Sequence, residues 1–170
     1  ERGEEAADAH AAAAPAAAVA TRRPERPPAL VARGAPLRIL VAEDVPTNQL
    51  VLAHMLRALG AEVTMVEDGE QAVGAVADGG FDLVMMDVMM PRLDGVDATR
   101  AIRAREAAEG RARLPIVALT ANAMHDQVAA YLAAGMDAHV AKPVRRDLLH
   151  ATVARLVSAL PGGDPEAEEA

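Results

Sequence analysis

The 170-residue chain contains no cysteine, so disulfides and thiolate metal sites are excluded and a reducing compartment is permitted. It has no apolar run near the ~20 residues that a bilayer crossing needs, and no charged-then-apolar leader opens it. A soluble, cytoplasmic unit without direct membrane contact is expected, whatever anchors its parent protein. Positive charge is also short. The formal net charge is -8, with about 0 on residues 1–36, -4 on 37–160 and -4 on 161–170, which disfavours nucleic acid as a partner. Neither a P-loop nor G-x-G-x-x-G occurs, which disfavours a nucleotide-triphosphate enzyme. Lysine is the scarcest charged residue: of 17 basic side chains 16 are Arg, and Lys142 stands alone. A position that needs only a cation is filled here by Arg, so Lys142 requires its own explanation.

The length has room for one domain with a full core plus tails. A start at Glu1 rather than Met points to a piece of something longer. Residues 1–36 hold an Ala run broken by Pro15, Pro24, Pro27, Pro28 and Pro36, with almost no large apolar side chain, and read as a disordered linker. From Leu37 strand-like and helix-like stretches alternate five times, the pattern of a parallel sheet with helices on both faces. The expected strands are 37–42, 62–66, 81–87, 114–119 and 138–141. The expected helices are 46–59, 70–78, 96–107, 124–134 and 146–160. Leu52, Leu56 and Leu59 are spaced for one apolar helix face, and the polar alternation of Glu62, Thr64 and Glu67 suits an edge strand. Residues 161–170 read as an acidic tail. The fold class is α/β: a (βα)5 flavodoxin-like, doubly wound parallel sheet of strand order 2-1-3-4-5.

The chain is organised around Phe81–Gly95. Leu83–Met86 is a continuous apolar run, as expected of a strand covered on both faces, and Asp87 interrupts it where the strand runs out. Open α/β sheets place their ligand crevice at that carboxyl edge. Pro91, Asp94 and Gly95 turn the chain away, with Asp94 placed to cap the next helix. In the 2-1-3-4-5 order, the ends of neighbouring strands bring Glu43 and Asp44, Asp87, Thr120 and Lys142 together. Three carboxylates this close repel unless a cation sits among them, and hard oxygen ligands suit Mg²⁺. Such a site invites a phosphoryl group: Asp87 as nucleophile, with Mg²⁺, the Lys142 ammonium, and the Thr120 hydroxyl with the Ala121 amide on the three phosphoryl oxygens. Lysine fits as a compact point charge where the broad fork of Arg would crowd the pocket.

These motifs carry a family resemblance. Ile39-Leu-Val-Ala-Glu-Asp44, Met86-Asp-Val-Met-Met-Pro91 with Asp94-Gly95, Ile116-Val-Ala-Leu-Thr-Ala121 and Lys142-Pro143 resemble the response-regulator receiver domain of two-component signalling, over residues 37–160. Asp44-Val-Pro-Thr-Asn-Gln49, Ala98-Thr-Arg-Ala-Ile-Arg103 and Ala121-Asn-Ala-Met124 bring it nearest the receivers of hybrid sensor histidine kinases. The resemblance implies Asp87 as phosphoacceptor, Glu43 and Asp44 as the acidic pair holding Mg²⁺, and Met89 as the position whose backbone carbonyl completes the metal site. It also implies Thr120 as the switch hydroxyl and Lys142 as the phosphate-pairing lysine, with a cis peptide bond before Pro143. His139 falls where the family usually carries a rotating Tyr or Phe. The implied partners are a histidine kinase phosphohistidine domain, in cis or in trans, and a histidine phosphotransfer protein, the receiver itself being a monomer or weak dimer. The implied unit promotes its own phosphotransfer and dephosphorylation without being a kinase.

Plainer readings stand beside these. Asp87 alone could be a cap or turn residue; Glu43 and Asp44 could open the first helix, with Asp44 expected to cap it as well as bind metal; Thr120 could cap the helix at Met124. His139 could be a strand histidine packed under the fourth helix. Met85, Met86, Met89 and Met90 read as core filling and loop cover rather than a soft-metal site. His10, His54, His125 and His150 read as surface or interface residues. Val51, Met55 and Ala58 form a second apolar strip on the first helix, suited to dock a phosphohistidine domain. The competing functions are a receiver-like binding scaffold that turns over no phosphate, a stand-alone response regulator, and a flavin carrier. The last lacks a phosphate loop, since Glu43-Asp-Val-Pro46 is acidic where that loop belongs.

Overall fold

The computed structural model describes residues 34–160. The acidic tail and all but the last three residues of the expected linker, His10 included, lie outside them. Five strands, β1 (Arg38–Ala42), β2 (Glu62–Val66), β3 (Leu83–Asp87), β4 (Ile116–Thr120) and β5 (Ala138–Ala141), alternate with α1 (Pro46–Ala58), α2 (Gly69–Asp78), α3 (Gly95–Glu109), α4 (His125–Ala134) and α5 (Arg146–Ser158). All pairings are parallel and the strand order is β2-β1-β3-β4-β5, as the alternation predicts. The polar β2 is an edge strand.

The apolar runs make two cores. In β1, β3 and β4, alternate residues Ile39, Val41, Leu83, Met85, Val117 and Leu119 pack with Leu52 and Leu56 of α1 and with Leu149, Val153 and Val157 of α5. Their neighbours Leu40, Ala42, Val84, Met86, Ile116 and Ala118 pack on the other face with Ala72, Ala98, Ile102 and Tyr131 of α2, α3 and α4. Every residue of β3 and β4 is buried, which is why these strands read as unbroken apolar stretches.

The ends of the helices show where local sequence sets the boundaries. Asp94 caps α3 by accepting from the Asp97 amide at 2.8 Å, and the helix begins at Gly95, one residue before the predicted start. Gly110 and Gly135 close α3 and α4 in the left-handed conformation that favours glycine. The predicted cap at Asp44 is not made: Val45 occupies that position without a side-chain hydrogen bond, leaving Asp44 exposed. The likely-looking cap at Thr120 is also absent, because Thr120 is the last residue of β4 and Met124 precedes α4. Among the surface assignments, His54 and His125 are exposed. His150 is instead half-buried, its Nε2 lying 3.0 Å from the Met55 carbonyl. Met55 packs against the core, so the second strip of α1 reduces to Val51 and Ala58 as its exposed members.

Asp68 holds the loop after β3 from the side. Its buried carboxylate caps α2 through the Gln71 amide at 2.8 Å and receives the Arg92 guanidinium, Nε at 2.6 Å. Arg92 has φ 65°, so the ion pair keeps a non-glycine residue in the left-handed region. The Gln71 amide leads in holding the Asp68 carboxyl below its ordinary range, with Arg92 adding to it against the cost of burial. Because the folded value is depressed, this stabilisation is complete above the unfolded value of about 3.9 and is lost as pH falls through the folded one. Asp68→Ala is expected to cost about 1–2 kcal/mol at neutral pH, with the gap to the parent chain closing in acid, as read by urea unfolding at several pH values.

Candidate functional site

The register that builds the sheet also aligns the acids. Ala42 pairs with Met86, so the next residues, Glu43 and Asp87, leave the two central strands side by side. Both are buried, while Asp44 is exposed. Oxygens of Glu43, Asp44 and Asp87 lie within 4.8 Å of one another. Lys142 reaches them from the end of β5, where its amide donates to the Thr120 carbonyl at 2.8 Å and a cis bond joins it to Pro143 as expected. Its Nζ lies 2.7 Å from Asp87 Oδ2 and 2.9 Å from Glu43 Oε2. The lone lysine therefore bridges the acids of β1 and β3.

The rest of the cradle is backbone and amide. Asp87 Oδ1 accepts from the Met89 amide at 3.1 Å, and the Met89 side chain points to solvent, 75% exposed. Glu43 Oε1 accepts from the Val45 amide at 3.0 Å and, more loosely, from Asn48 Nδ2 at 3.4 Å. Glu43 Oε2 is buried and, although ion-paired to Lys142, has no aligned hydrogen bond. Gly95 lies so close beneath that a Cβ there would overlap the Asp87 carbonyl. Glycine is needed at that position for close approach rather than for its backbone angles.

The charges do not balance. Three carboxylates face one ammonium, and burial pushes the Asp87 carboxyl above its ordinary range, with Glu43 adding repulsion and Lys142 opposing both. Burial works the same way on Glu43, yet Lys142, the Val45 amide and Asn48 outweigh it and hold that carboxyl low. Desolvation likewise opposes the Lys142 charge, but Asp87 and Glu43 more than offset it and raise its pKa. An under-satisfied buried oxygen among clustered acids fits a hard divalent cation, whose trans ligands stand about 4.2 Å apart.

Thr120 and His139 depart from expectation. The Thr120 hydroxyl turns to its own loop and to α4, bonding Asn122 and the Tyr131 hydroxyl rather than Asp87. His139 is exposed, which removes the packed-histidine alternative. Tyr131, the only tyrosine of the chain, went unremarked in the sequence because at helical spacing it reads as one more core residue.

Residues 39–154 match the family described as response regulator receiver domain. The chain belongs to that family. It is 50% identical over 107 residues to the sensor protein GacS of Pseudomonas syringae pv. syringae, the match covering 63% of this chain and 12% of the relative. Among solved structures it resembles the receiver domain of the sensor histidine kinase PA1611 from Pseudomonas aeruginosa PAO1, crystallised with magnesium in its active-site cleft. That match has a TM-score of 0.66 and 44% identity, covering 74% of this chain and 100% of the other. It also resembles the co-crystal structure of the Saccharomyces cerevisiae histidine phosphotransfer protein Ypd1 with the receiver domain of Ssk1, at TM-score 0.65 and 30% identity, covering 72% and 88%. This is a receiver domain of the histidine kinase and response regulator systems, the phosphoacceptor unit of a phosphorelay. No helix among the described residues is long and apolar enough to cross a membrane.

A raised folded value for Asp87 means that the folded state holds this proton more tightly than the unfolded one, so its contribution to stability falls as pH rises from about 4. Asp87→Asn in chelator is expected to flatten that slope and to stabilise the receiver at neutral pH by on the order of 1 kcal/mol, measured by chemical denaturation.

Proposed function

We propose that Asp87 accepts a phosphoryl group from a phosphohistidine and that Glu43, Asp44, Asp87 and the Met89 backbone carbonyl hold Mg²⁺ while it does so. The observation that carries this reading is Lys142 Nζ within 2.9 Å of carboxylates from both central strands, beside acid oxygens lying within 4.8 Å of one another. An Asp87 oxygen attacks phosphorus, the P–N bond breaks, and the electron pair leaves on the imidazole nitrogen, which takes a proton from solvent. An acyl phosphate remains. Bound Mg²⁺ would supply charge neutralisation that the single lysine lacks.

The protein's own residues supply placement. Lys142 already pairs with Asp87 Oδ2 and needs only a small shift to meet a phosphoryl oxygen. The Met89 amide fixes Oδ1, so one face of the carboxylate is presented. The Thr120 hydroxyl is one rotation from joining a further phosphoryl oxygen, and in doing so it leaves its resting partners.

For the partner, a groove of about 410 Å³ runs from Glu43 and Lys142 along Val51, Leu52, Pro143 and Val144. Leu50, Val51 and Leu148 are exposed apolar residues of α1 and α5. An apolar strip beside the acids suits a helical phosphohistidine domain, whether of a kinase in cis or in trans or of a histidine phosphotransfer protein. The chain spans 12% of GacS, and by that likeness its setting is a hybrid histidine kinase, working on the cytoplasmic side.

Incubation with Mg²⁺ and a small-molecule phosphodonor, followed by peptide mapping, is expected to put one phosphoryl group on Asp87 and none on Asp87→Asn. Lys142→Met is expected to slow labelling on the order of 10²-fold, as loss of one charge-stabilising donor does elsewhere. Labelling of Asp87→Asn at the parent rate would refute the assignment.

A further inference from the structure

We propose that Tyr131 of α4, rather than His139 of β5, is the side chain that governs and reads the Thr120 hydroxyl. The inference rests on the phosphoacceptor reading of Asp87. Thr120 Oγ1 lies 2.7 Å from the Asn122 carbonyl, 3.1 Å from the Asn122 amide and 3.2 Å from the Tyr131 hydroxyl. The Tyr131 hydroxyl also lies 3.1 Å from Gln127 Oε1. Tyr131 is 8% exposed, its ring packed in the core beneath α4. His139 is exposed and makes no hydrogen bond or ion pair among the described residues.

Counting protons shows what the contact does. A hydroxyl has one proton to give. If Thr120 donates to the Asn122 carbonyl, Tyr131 donates to Thr120; if Tyr131 donates to Gln127, Thr120 donates to Tyr131. In either arrangement the Thr120 proton is committed away from Asp87, and Tyr131 shares in holding it there. Donation to a phosphoryl oxygen requires Thr120 to give up this arrangement. The cost of leaving includes one neutral hydrogen bond, and the group released sits on α4, so the same event frees the helix contact. Tyr131 is thus a positioning residue, opposing the activated rotamer and connecting it to α4. Asn122 extends the link, since its Oδ1 accepts from the Met124 amide immediately before the helix.

The phenol can be removed without removing the ring. Tyr131→Phe is expected to bind the phosphoryl mimic beryllofluoride about fivefold more tightly in saturating Mg²⁺, the equivalent of one neutral hydrogen bond no longer broken. Fluorine NMR on the whole chain reads the affinity, and a separate Mg²⁺ titration is expected to be unchanged. In a Thr120→Val background, Tyr131→Phe is expected to alter mimic affinity by less than about twofold, because the contact is already gone. In the parent protein, which has no tryptophan and this one tyrosine, tyrosine fluorescence is expected to shift on mimic binding. A purely structural role predicts equal or weaker mimic binding by Tyr131→Phe, and that result overturns the proposal. So does a fivefold gain that persists with Thr120→Val. Mimic binding by the parent chain with either of these results leaves the Asp87 reading standing. No mimic binding at all sinks both.

Discussion

Lys142 carries one positive charge between two carboxylates that the sheet has taken out of water, and the fold around it is arranged so that this charge falls short. Glu43 and Asp87 are neighbours because β1 and β3 pair in parallel with Ala42 opposite Met86. Had the register slipped by one residue, one acid would face the other core and the pair would be lost. The lysine arrives from two strands away, across β4, and can bridge both acids only because its compact ammonium sits on a long flexible stem. With Asp44 added at the rim, the site keeps a negative surplus. That surplus attracts a small hard cation, and the cation in turn makes room for a phosphoryl dianion.

The site is rigid because its supports are made elsewhere. Gly95 lets α3 begin directly against the Asp87 carbonyl, and the Gly95 amide donates to the Val88 carbonyl at 3.0 Å. Asp94 caps that helix, while the buried Asp68 anchors Arg92 in the same loop. At the opposite edge of the sheet, Arg103 gathers Glu106, Asp137 and the carbonyls of Gly135 and Leu114, tying α3 to the starts of β4 and β5. Only 14% of the Arg103 side chain is exposed, so this pair network is worth more than a surface bridge and would be costly to break one partner at a time.

Much of this was legible in the residues. The alternation of strand and helix gave the order of the sheet, because each of β1, β3 and β4 has apolar side chains at successive positions, the signature of burial on both faces. Strand-end chemistry then gave the acids, Thr120 and Lys142 together. What failed was of another kind. Asp44 stays uncapping because Pro46 starts α1 and leaves Val45 in the cap position, a backbone outcome that a list of capping residues does not reveal. Arg92, Asp68 and Arg103 were invisible because long-range ion pairs between residues 24 or 34 positions apart leave no periodic trace. Tyr131 was missed for the opposite reason: its ring does belong to the core, and only its hydroxyl departs from that role.

The resting geometry bears on how a signal leaves the site. A ligand moves an equilibrium only by its differential affinity for the two arrangements. The phosphoryl group gains contacts with Lys142 and Thr120, and in exchange Lys142 loosens its hold on Glu43 and Asp87 while Thr120 abandons Asn122 and Tyr131. Each gained contact is offset by one given up, so the net bias amounts to a few kcal/mol at most, the scale on which such switches operate. A tighter resting network would make the domain deaf to phosphorylation, and a looser one would leave it active without a signal. The lost contacts matter as much as the new ones, because α4 can respond to phosphoryl chemistry only through groups that let go of it.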